Sequence, residues 1–275
     1  MTAQPNQNAV LINGQIADAI PVNDRGLAYG DGVYRTFLIQ AKTPLLWSQQ
    51  YQKLSADCAK LALQLPPQSQ LLAEIQQLCA DHGDYVGKVM VTRGLAGRGY
   101  QIPPQFECNR IIMLSPYVAP QARIQQGLNM FVCQLRLATQ PSLAGIKHLN
   151  RLENVLARSE NSAPDMHEGL LLDMQDQVIE CTSGNLFARY QDQLITPALS
   201  HCGVAGVMRD WLLDNAAQFG LQAKVGELHL AQLLLADELI MTNSVLGAIQ
   251  IKQIQHKIWP ALSLAQQIRN LLIKQ

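Results

Sequence analysis

Apolar residues recur along the chain with two different periods, and the changes of period divide it into segments. Residues 9–12, the dipeptide Asn13-Gly14 and residues 15–17 read as a hairpin, because Asn-Gly adopts the positive φ angles of a type I′ turn. A loop with glycines at 26, 30 and 32 follows, then a β-rich run over 33–39 and a second over 44–47. Ser48 stands where an N-cap would start a helix reaching about residue 63, and Tyr51, Leu54, Cys58 and Leu61 form one stripe on it. A second amphipathic helix carries Leu71, Leu72, Ile75, Leu78 and Cys79 and ends near His82-Gly83. Strands over 88–93 and 110–114 flank a glycine-rich loop.

Residues 115–126 are the best candidate linker, since Pro116 and Pro120 stop both helix and ladder, and the domain boundary is placed near Ala119. Beyond it come a strand over 128–137 and hairpin strands over 170–174 and 177–180 around Asp176. A further pair over 185–190 and 193–196 turns at Gln191-Asp192. Helices over 207–219, closed by Gly220, and over 230–235 follow, with a strand over 238–242 and a terminal helix from Leu262. The pattern predicts an α+β fold of two domains: a smaller N-terminal α/β domain over 1–118 and a larger, β-rich C-terminal domain over 119–275.

Composition narrows the function more than the fold. With 275 residues and 48% hydrophobic content the chain can build substantial cores. Its 21 basic and 21 acidic residues cancel, which argues against an electrostatic nucleic-acid binder and for a small-molecule partner. Six cysteines are scattered without Cys-x-x-Cys spacing, as expected of reduced thiols in a reducing compartment. The first eight residues are polar and uncharged, and no run reaches the roughly 18 apolar residues of a membrane span, so a cytoplasmic protein is expected. The six histidines at 82, 148, 167, 201, 229 and 256 show no metal-ligand spacing, and no metal site is expected.

The segment Gly-Ile-Lys-His-Leu-Asn-Arg-Leu-Glu-Asn-Val-Leu-Ala-Arg, residues 145–158, places Lys147 at the start of a helix whose Leu149, Leu152, Val155 and Leu156 predict a half-buried face. Partial burial disfavours an ammonium ion and lowers a lysine pKa, which suits a Schiff-base or general-base amine; a lysine that only snorkels its charge to water is the competing reading. Arg93 stands at a strand end, where a structural role suits it, while Arg98 and Tyr100 lie in a loop suited either to a carboxylate or to a mobile surface hairpin. Glu180 closes a strand before the polar turn that leads to Asn185, and Gly203-Val-Ala-Gly206-Val207-Met208 opens a helix whose N-terminus can cradle an anion. His148 can touch a ligand or pack in the interior.

The lysine segment closely resembles that of the class IV (fold type IV) pyridoxal-phosphate-dependent enzymes, which include branched-chain and D-amino-acid aminotransferases and aminodeoxychorismate lyase. The string Lys147-His148-Leu149-Asn150-Arg151-Leu152 is most similar to the lyase branch, and matching pieces run over 24–32 and 180–187. The resemblance implies pyridoxal 5′-phosphate as cofactor, held at a domain interface, with Lys147 carrying the aldehyde and acting as base. It implies Glu180 opposite the pyridine nitrogen, Asn185 among the cofactor-binding residues, and the amides of Val207 and Met208 with the Ser244 hydroxyl at the phosphate. Where the family has a phosphate-gripping arginine this chain has Lys53, which supplies charge without a bidentate fork. Arg35 is then a candidate second cation, at a position where family members often carry Glu. Arg98, Tyr100, His148 and Arg151 are the candidate substrate contacts, and a homodimer is expected. An aminotransferase on the same fold, or a non-catalytic binding protein that retains it, are the competing readings.

Overall fold

A computed structural model of the chain describes residues 9–273, so residues 1–8, whose polar composition counted against a leader, lie outside the described residues. The backbone forms two compact units. One comprises the described residues up to Val118 together with Lys147–Asn150; the other comprises Ala119–Ile146 and Arg151 onward. Among the described residues no helix is long and apolar enough to cross a membrane.

The first unit contains, in order, β1 (Ala9–Ile12), β2 (Gln15–Ile16), α1 (Arg25–Tyr29), β3 (Gly32–Gln40), β4 (Thr43–Pro44), α2 (Trp47–Lys60), α3 (Gln68–Leu78), β5 (Tyr85–Thr92) and β6 (Asn109–Pro116). Its strands pair antiparallel in the order β2-β1-β6-β5-β3-β4. Asn13 and Gly14 take φ of 53° and 83°, the left-handed values that the first hairpin needs. Along β3, alternate residues Val33, Arg35, Phe37 and Ile39 are all buried, so one arginine sits at a core-facing position of the strand. Leu54 and Cys58 of α2 and Leu71 and Ile75 of α3 are buried in the same unit, each leucine contributing about 2 kcal/mol of hydrophobic stabilisation.

Three expectations fail here for identifiable reasons. The loop of three glycines contains helix α1, because the Asp24 carboxylate accepts the Gly26 N–H at 2.7 Å as an N-cap and Gly30, at φ 65°, closes the turn. The expected strand over 44–47 ends at Pro44, and Ser48 does not cap α2. The Leu45 N–H donates to the Leu38 carbonyl at 2.8 Å, after which Leu46 at φ 53° reverses the chain and is itself the cap residue, leaving Ser48 inside the helix.

The second unit contains α4 (Gln121–Gln126), β7 (Leu128–Leu137), α5 (Leu152–Ser159), β8 (Glu168–Asp173), β9 (Val178–Cys181), β10 (Asn185–Tyr190), β11 (Gln193–Pro197), α6 (Val207–Asn215), β12 (Gln222–Gly226), α7 (Leu230–Leu233), β13 (Glu238–Asn243), β14 (Gly247–Ile254), β15 (Lys257–Ile258) and α8 (Leu264–Leu272). Its sheet runs β12-β11-β10-β13-β14-β7-β8-β9, with β15 on β14 and with parallel pairs at β11·β12, β14·β7 and β7·β8. Leu170, Leu186, Leu239, Ile249 and Ile251 are fully buried in its core.

The expected linker therefore holds a short helix, α4, after Pro116 has ended β6. Three strands, β12, β14 and the two-residue β15, are not among those the pattern predicts. β12 is a polar edge strand held by its parallel pairing with β11, and in β14 a register shift between Ile251 and Gln253 breaks the alternation. The half-buried face expected of 145–158 is also not found within the chain: in α5, Leu152, Val155 and Leu156 are 67%, 61% and 51% exposed, and Ala157 is the buried residue.

Candidate active site

In the first unit Lys147 is mounted against the start of β3. The Tyr34 N–H donates to the Lys147 carbonyl at 2.9 Å and the Leu149 N–H to the Gly32 carbonyl at 2.9 Å, which brackets an antiparallel bridge between Val33 and His148. The Lys147 N–H instead donates to the Asp57 Oδ2 of α2 at 3.2 Å, and that same oxygen is in a buried ion pair with the Arg35 guanidinium. The Lys147 ammonium lies 4.6 Å from the centre of the Tyr34 ring, within cation–π range. The glycines of this region are steric requirements. A Cβ on Gly32 would meet the Val91 carbonyl oxygen at 2.5 Å and Leu149 at 2.7 Å, and one on Gly30 would meet Asn150 at 2.3 Å.

The loop preceding β3 is cross-linked by charge. Asp31 binds Arg25 at 2.8 Å and Arg93 at 2.8 Å, and Arg93 also donates to the carbonyls of Leu61 and Ala62. Burial on its own raises the Asp31 carboxyl, but the hydrogen bonds from Arg93 and Arg25 and their charges outweigh it and hold it below the ordinary carboxylate range. Asp24 is fully buried and accepts from Gly26, Thr92 and Asn109. Asp24, Asp31 and Arg93 are thus frame residues.

In the second unit Glu180 is the next-to-last residue of β9, with 3% of its surface exposed, and its Oε2 accepts the Val204 N–H at 2.8 Å. Asn185, also buried, donates to the Val204 carbonyl at 2.7 Å and accepts the Gly206 N–H at 3.2 Å. Acid and amide together fix the turn that opens α6, where Gly206 is the cap and Val207 and Met208 are the first, buried helical residues. A helix start presents amides without intrahelical partners, and with the helix dipole these favour an anion. A Cβ on Gly206 would lie 2.3 Å from Asn185 Oδ1, so the turn admits only glycine there without rearrangement. Gly145, two residues before Lys147 in sequence, donates to the Gly203 carbonyl at 3.0 Å and accepts from Ala205 at 3.1 Å. Ser244 lies in the turn between β13 and β14, and the nearby Thr242 hydroxyl is fully buried without a hydrogen-bond partner among the described residues. Thr242 is the register partner of Asn185, which accepts from the α6 cap, and an unpaired buried hydroxyl together with an anion-favouring helix start suits a phosphorylated ligand.

The remaining predicted residues are distributed as follows. Lys53 is half-buried on α2, one turn before Asp57. Arg35, the candidate second cation, is committed to Asp57 as its buried partner. His148 is half-buried in the bridge with Val33, and Arg151 is the cap residue before α5, with its guanidinium 3.5 Å from Asn154 Oδ1. Arg98 and Tyr100 are exposed on their loop, which is tied down by Arg25 donating to the carbonyls of Gly99 and Tyr100 and by an edge contact of Tyr100 with Tyr29 at 5.4 Å.

Sequence reasoning missed Tyr34 and Asp57. For Asp57 a signal existed: Arg35 falls at a core-facing position of an alternating strand, and a buried guanidinium requires a buried carboxylate, which α2 offers beside Cys58. Asp57 is also one contributor to the Cys58 thiol, which burial first, and then neighbouring Cys108 and Asp57, push up to about 12.

The profile of the Amino-transferase class IV family matches residues 32–254. An aminodeoxychorismate lyase from Vibrio harveyi is 32% identical over 246 residues, spanning 88% of this chain and 90% of that protein. The crystal structure of 4-amino-4-deoxychorismate lyase from Pseudomonas aeruginosa is similar with a TM-score of 0.90 at 39% identity, covering 96% of this chain and 98% of that one. The PLP-bound form of a hypothetical aminotransferase from Mycobacterium tuberculosis has a TM-score of 0.82 at 17% identity over 96% of this chain and 97% of its own, a likeness of fold alone.

Proposed function

Since the chain belongs to the class IV amino-transferase family, whose profile covers most of it, we propose that it converts 4-amino-4-deoxychorismate to 4-aminobenzoate and pyruvate, a step toward folate. It is a pyridoxal-phosphate-dependent lyase. When bound, pyridoxal phosphate supplies an aldehyde that condenses with amines and a protonated ring that accepts the electron pair left when a neighbouring C–H bond breaks. Lys147 is the amine that holds the aldehyde at rest and the base that takes the proton from the amine-bearing carbon of the substrate. Glu180 keeps a proton on the ring nitrogen, its own carboxylate oriented by the Val204 N–H. The amides of Val207 and Met208, the Ser244 hydroxyl and the Lys53 ammonium bind the phosphate, and Asn185 holds the turn that presents those amides. His148, Arg151, Arg98 and Tyr100 are the substrate contacts.

One arrangement carries this reading. The chain running into Lys147 is bonded through Gly145 to the same Gly203–Ala205 turn whose Val204 amide orients Glu180 and which leads directly into the start of α6. Within the second unit, acid and anion cradle are thereby joined to the segment that leads in sequence into Lys147. The donor set also fits the cofactor chemically, as one amine, one buried carboxylate, a glycine-capped helix start and an unpaired buried hydroxyl on the residue paired with Asn185.

The assay that tests it supplies 4-amino-4-deoxychorismate to the cofactor-loaded protein and follows both products. Equal release of pyruvate and 4-aminobenzoate is the expected result. Ketoacid-dependent amino transfer from D-alanine or a branched-chain amino acid, with no 4-aminobenzoate formed, would make it an aminotransferase instead.

The working unit is a homodimer, and the apolar row Leu152, Val155 and Leu156, more than half exposed on α5, supplies surface for a second copy. Sedimentation should give a dimer, and Leu156→Lys should shift it toward monomer. The six free cysteines, all with thiols pushed upward by burial, suit a cytoplasmic setting.

A further inference from the structure

Where the Lys147 segment pairs with β3, its hydrogen bonding departs from the regular ladder. The bridge between Val33 and His148, with Tyr34 N–H donating to Lys147 and Leu149 N–H to Gly32, is a normal antiparallel pattern. Continued by one residue, that pattern makes Tyr34 and Lys147 a hydrogen-bonded pair, in which the Lys147 N–H returns to the Tyr34 carbonyl. Instead it turns to a side chain, Asp57 Oδ2, at 3.2 Å. Asp57 is 4% exposed and Arg35, its ion-pair partner, 2% exposed, so the carboxylate is itself fixed from the strand that the lysine segment pads. Two charges are taken out of water to put one acceptor beside one backbone amide, an arrangement that apolar residues of similar volume would replace without loss of stability.

We propose that Asp57, held by Arg35, is a positioning residue that takes the Lys147 amide out of the ladder and thereby sets the direction from which the ε-amine reaches its ligand. The inference rests on the proposed role of Lys147 and adds to it what fixes that lysine's backbone. A base that takes a proton from a bound carbon must be placed to within about half an ångström. Rotating the Lys147 peptide back into the ladder would swing the Cα–Cβ bond, the origin from which the amine is placed. Lys53, one turn earlier on α2, shares a face with Asp57, so the same helix presents a cation and a buried anion four residues apart.

The test uses three variants and two readouts. Asp57→Asn keeps an acceptor for the Lys147 amide without the charge. The double change Arg35→Leu with Asp57→Leu removes both charges and the acceptor while keeping the interior apolar. Arg110→Leu with Glu74→Leu removes a comparable ion pair elsewhere in the same unit, at 2.6 Å, and serves as the control. In the protein freed of cofactor, amide hydrogen exchange at Lys147 should rise about tenfold in the Arg35/Asp57 double variant, as for loss of one hydrogen bond, and stay near wild type in Asp57→Asn and in the control. In the loaded protein, the double variant should lose kcat by about tenfold or more with KM little changed, and the fraction of cofactor fixed by borohydride should fall. A folded double variant with wild-type exchange at Lys147 overturns the proposal, as does an equal rise in the control. Borohydride fixation on a lysine other than Lys147 defeats the underlying lysine assignment, and the exchange result, obtained without cofactor, distinguishes the two failures. Should the double variant not fold, Asp57→Ser, which shortens the acceptor, decides by the same exchange readout.

Discussion

The lysine and the acid are mounted in opposite ways. Lys147 is fixed at its main chain, with its carbonyl bonded to Tyr34 and its amide to Asp57, while its ammonium stands over the Tyr34 ring. Glu180 is fixed at its side chain, with Oε2 bonded to the Val204 amide in a turn that Asn185 locks from the other side. The difference matches the work proposed for each. A group that alternates between carrying a cofactor and moving protons needs a fixed origin and a movable end, whereas a group that holds a ring proton in place needs a fixed end. A base anchored at its tip, or a counter-ion on a loose tip, would reverse that logic.

The largest effect expected is from Lys147→Ala, which should abolish borohydride-fixed cofactor and lower kcat by at least about 10³-fold. Wild-type absorbance in that variant would remove the movable end from the comparison. Glu180→Gln retains the acceptor for Val204 but not the charge, so the turn should survive while kcat falls by about 10²-fold; a variant within a factor of two of wild type would show that the fixed end is only structural.

Gly206→Ala probes the acid's mount without touching the acid. Its Cβ would press on Asn185 at 2.3 Å, and overpacking of this kind costs about 1–3 kcal/mol, read as a lower melting temperature together with weaker binding of the phosphorylated cofactor. Unchanged affinity would separate the α6 turn from the anion. The smallest effect is on the frame of the lysine's unit. Arg93 and Arg25 hold the Asp31 carboxyl below its ordinary value, so its contribution is complete above about pH 4, near the unfolded value, and is lost as pH falls through the lower folded value. The melting-temperature gap between wild type and Asp31→Asn should therefore narrow as pH is taken from about 5 to about 2. A gap that widened toward acid would mean that the two arginines do not stabilise the charged form.

The two mounts were unequally legible in the sequence. The acid's side announced itself locally: β9 and β10, the polar turn up to Asn185, and the Gly203–Gly206 step into α6 are contiguous patterns, and the hairpins at Asp176 and Gln191 carry residues with φ of 58° and 56° where turn chemistry anticipated them. The lysine's side depends on contacts far apart in sequence. Asp57 and Lys147 are separated by 90 residues, and nothing in the period of α2 says that its buried acid serves an amide in a later segment. The α5 face misled for a related reason. Helical spacing identified an apolar row correctly but could not say whether this chain or a second copy covers it, and within one chain Leu152, Val155 and Leu156 remain exposed. Ser48 likewise had the right chemistry for a cap and lost the position to Leu46, because the β3–β4 register fixed where the chain had to reverse.

The central claim, that one ε-amine carries the cofactor and does the proton transfer, is met most directly by reducing the loaded protein with borohydride and locating the phosphopyridoxyl group by peptide mass mapping. The predicted result is a single modified peptide with the label on Lys147 and complete loss of lyase turnover. Label on Lys53, Lys88 or another lysine, or full turnover after complete labelling of Lys147, would contradict it.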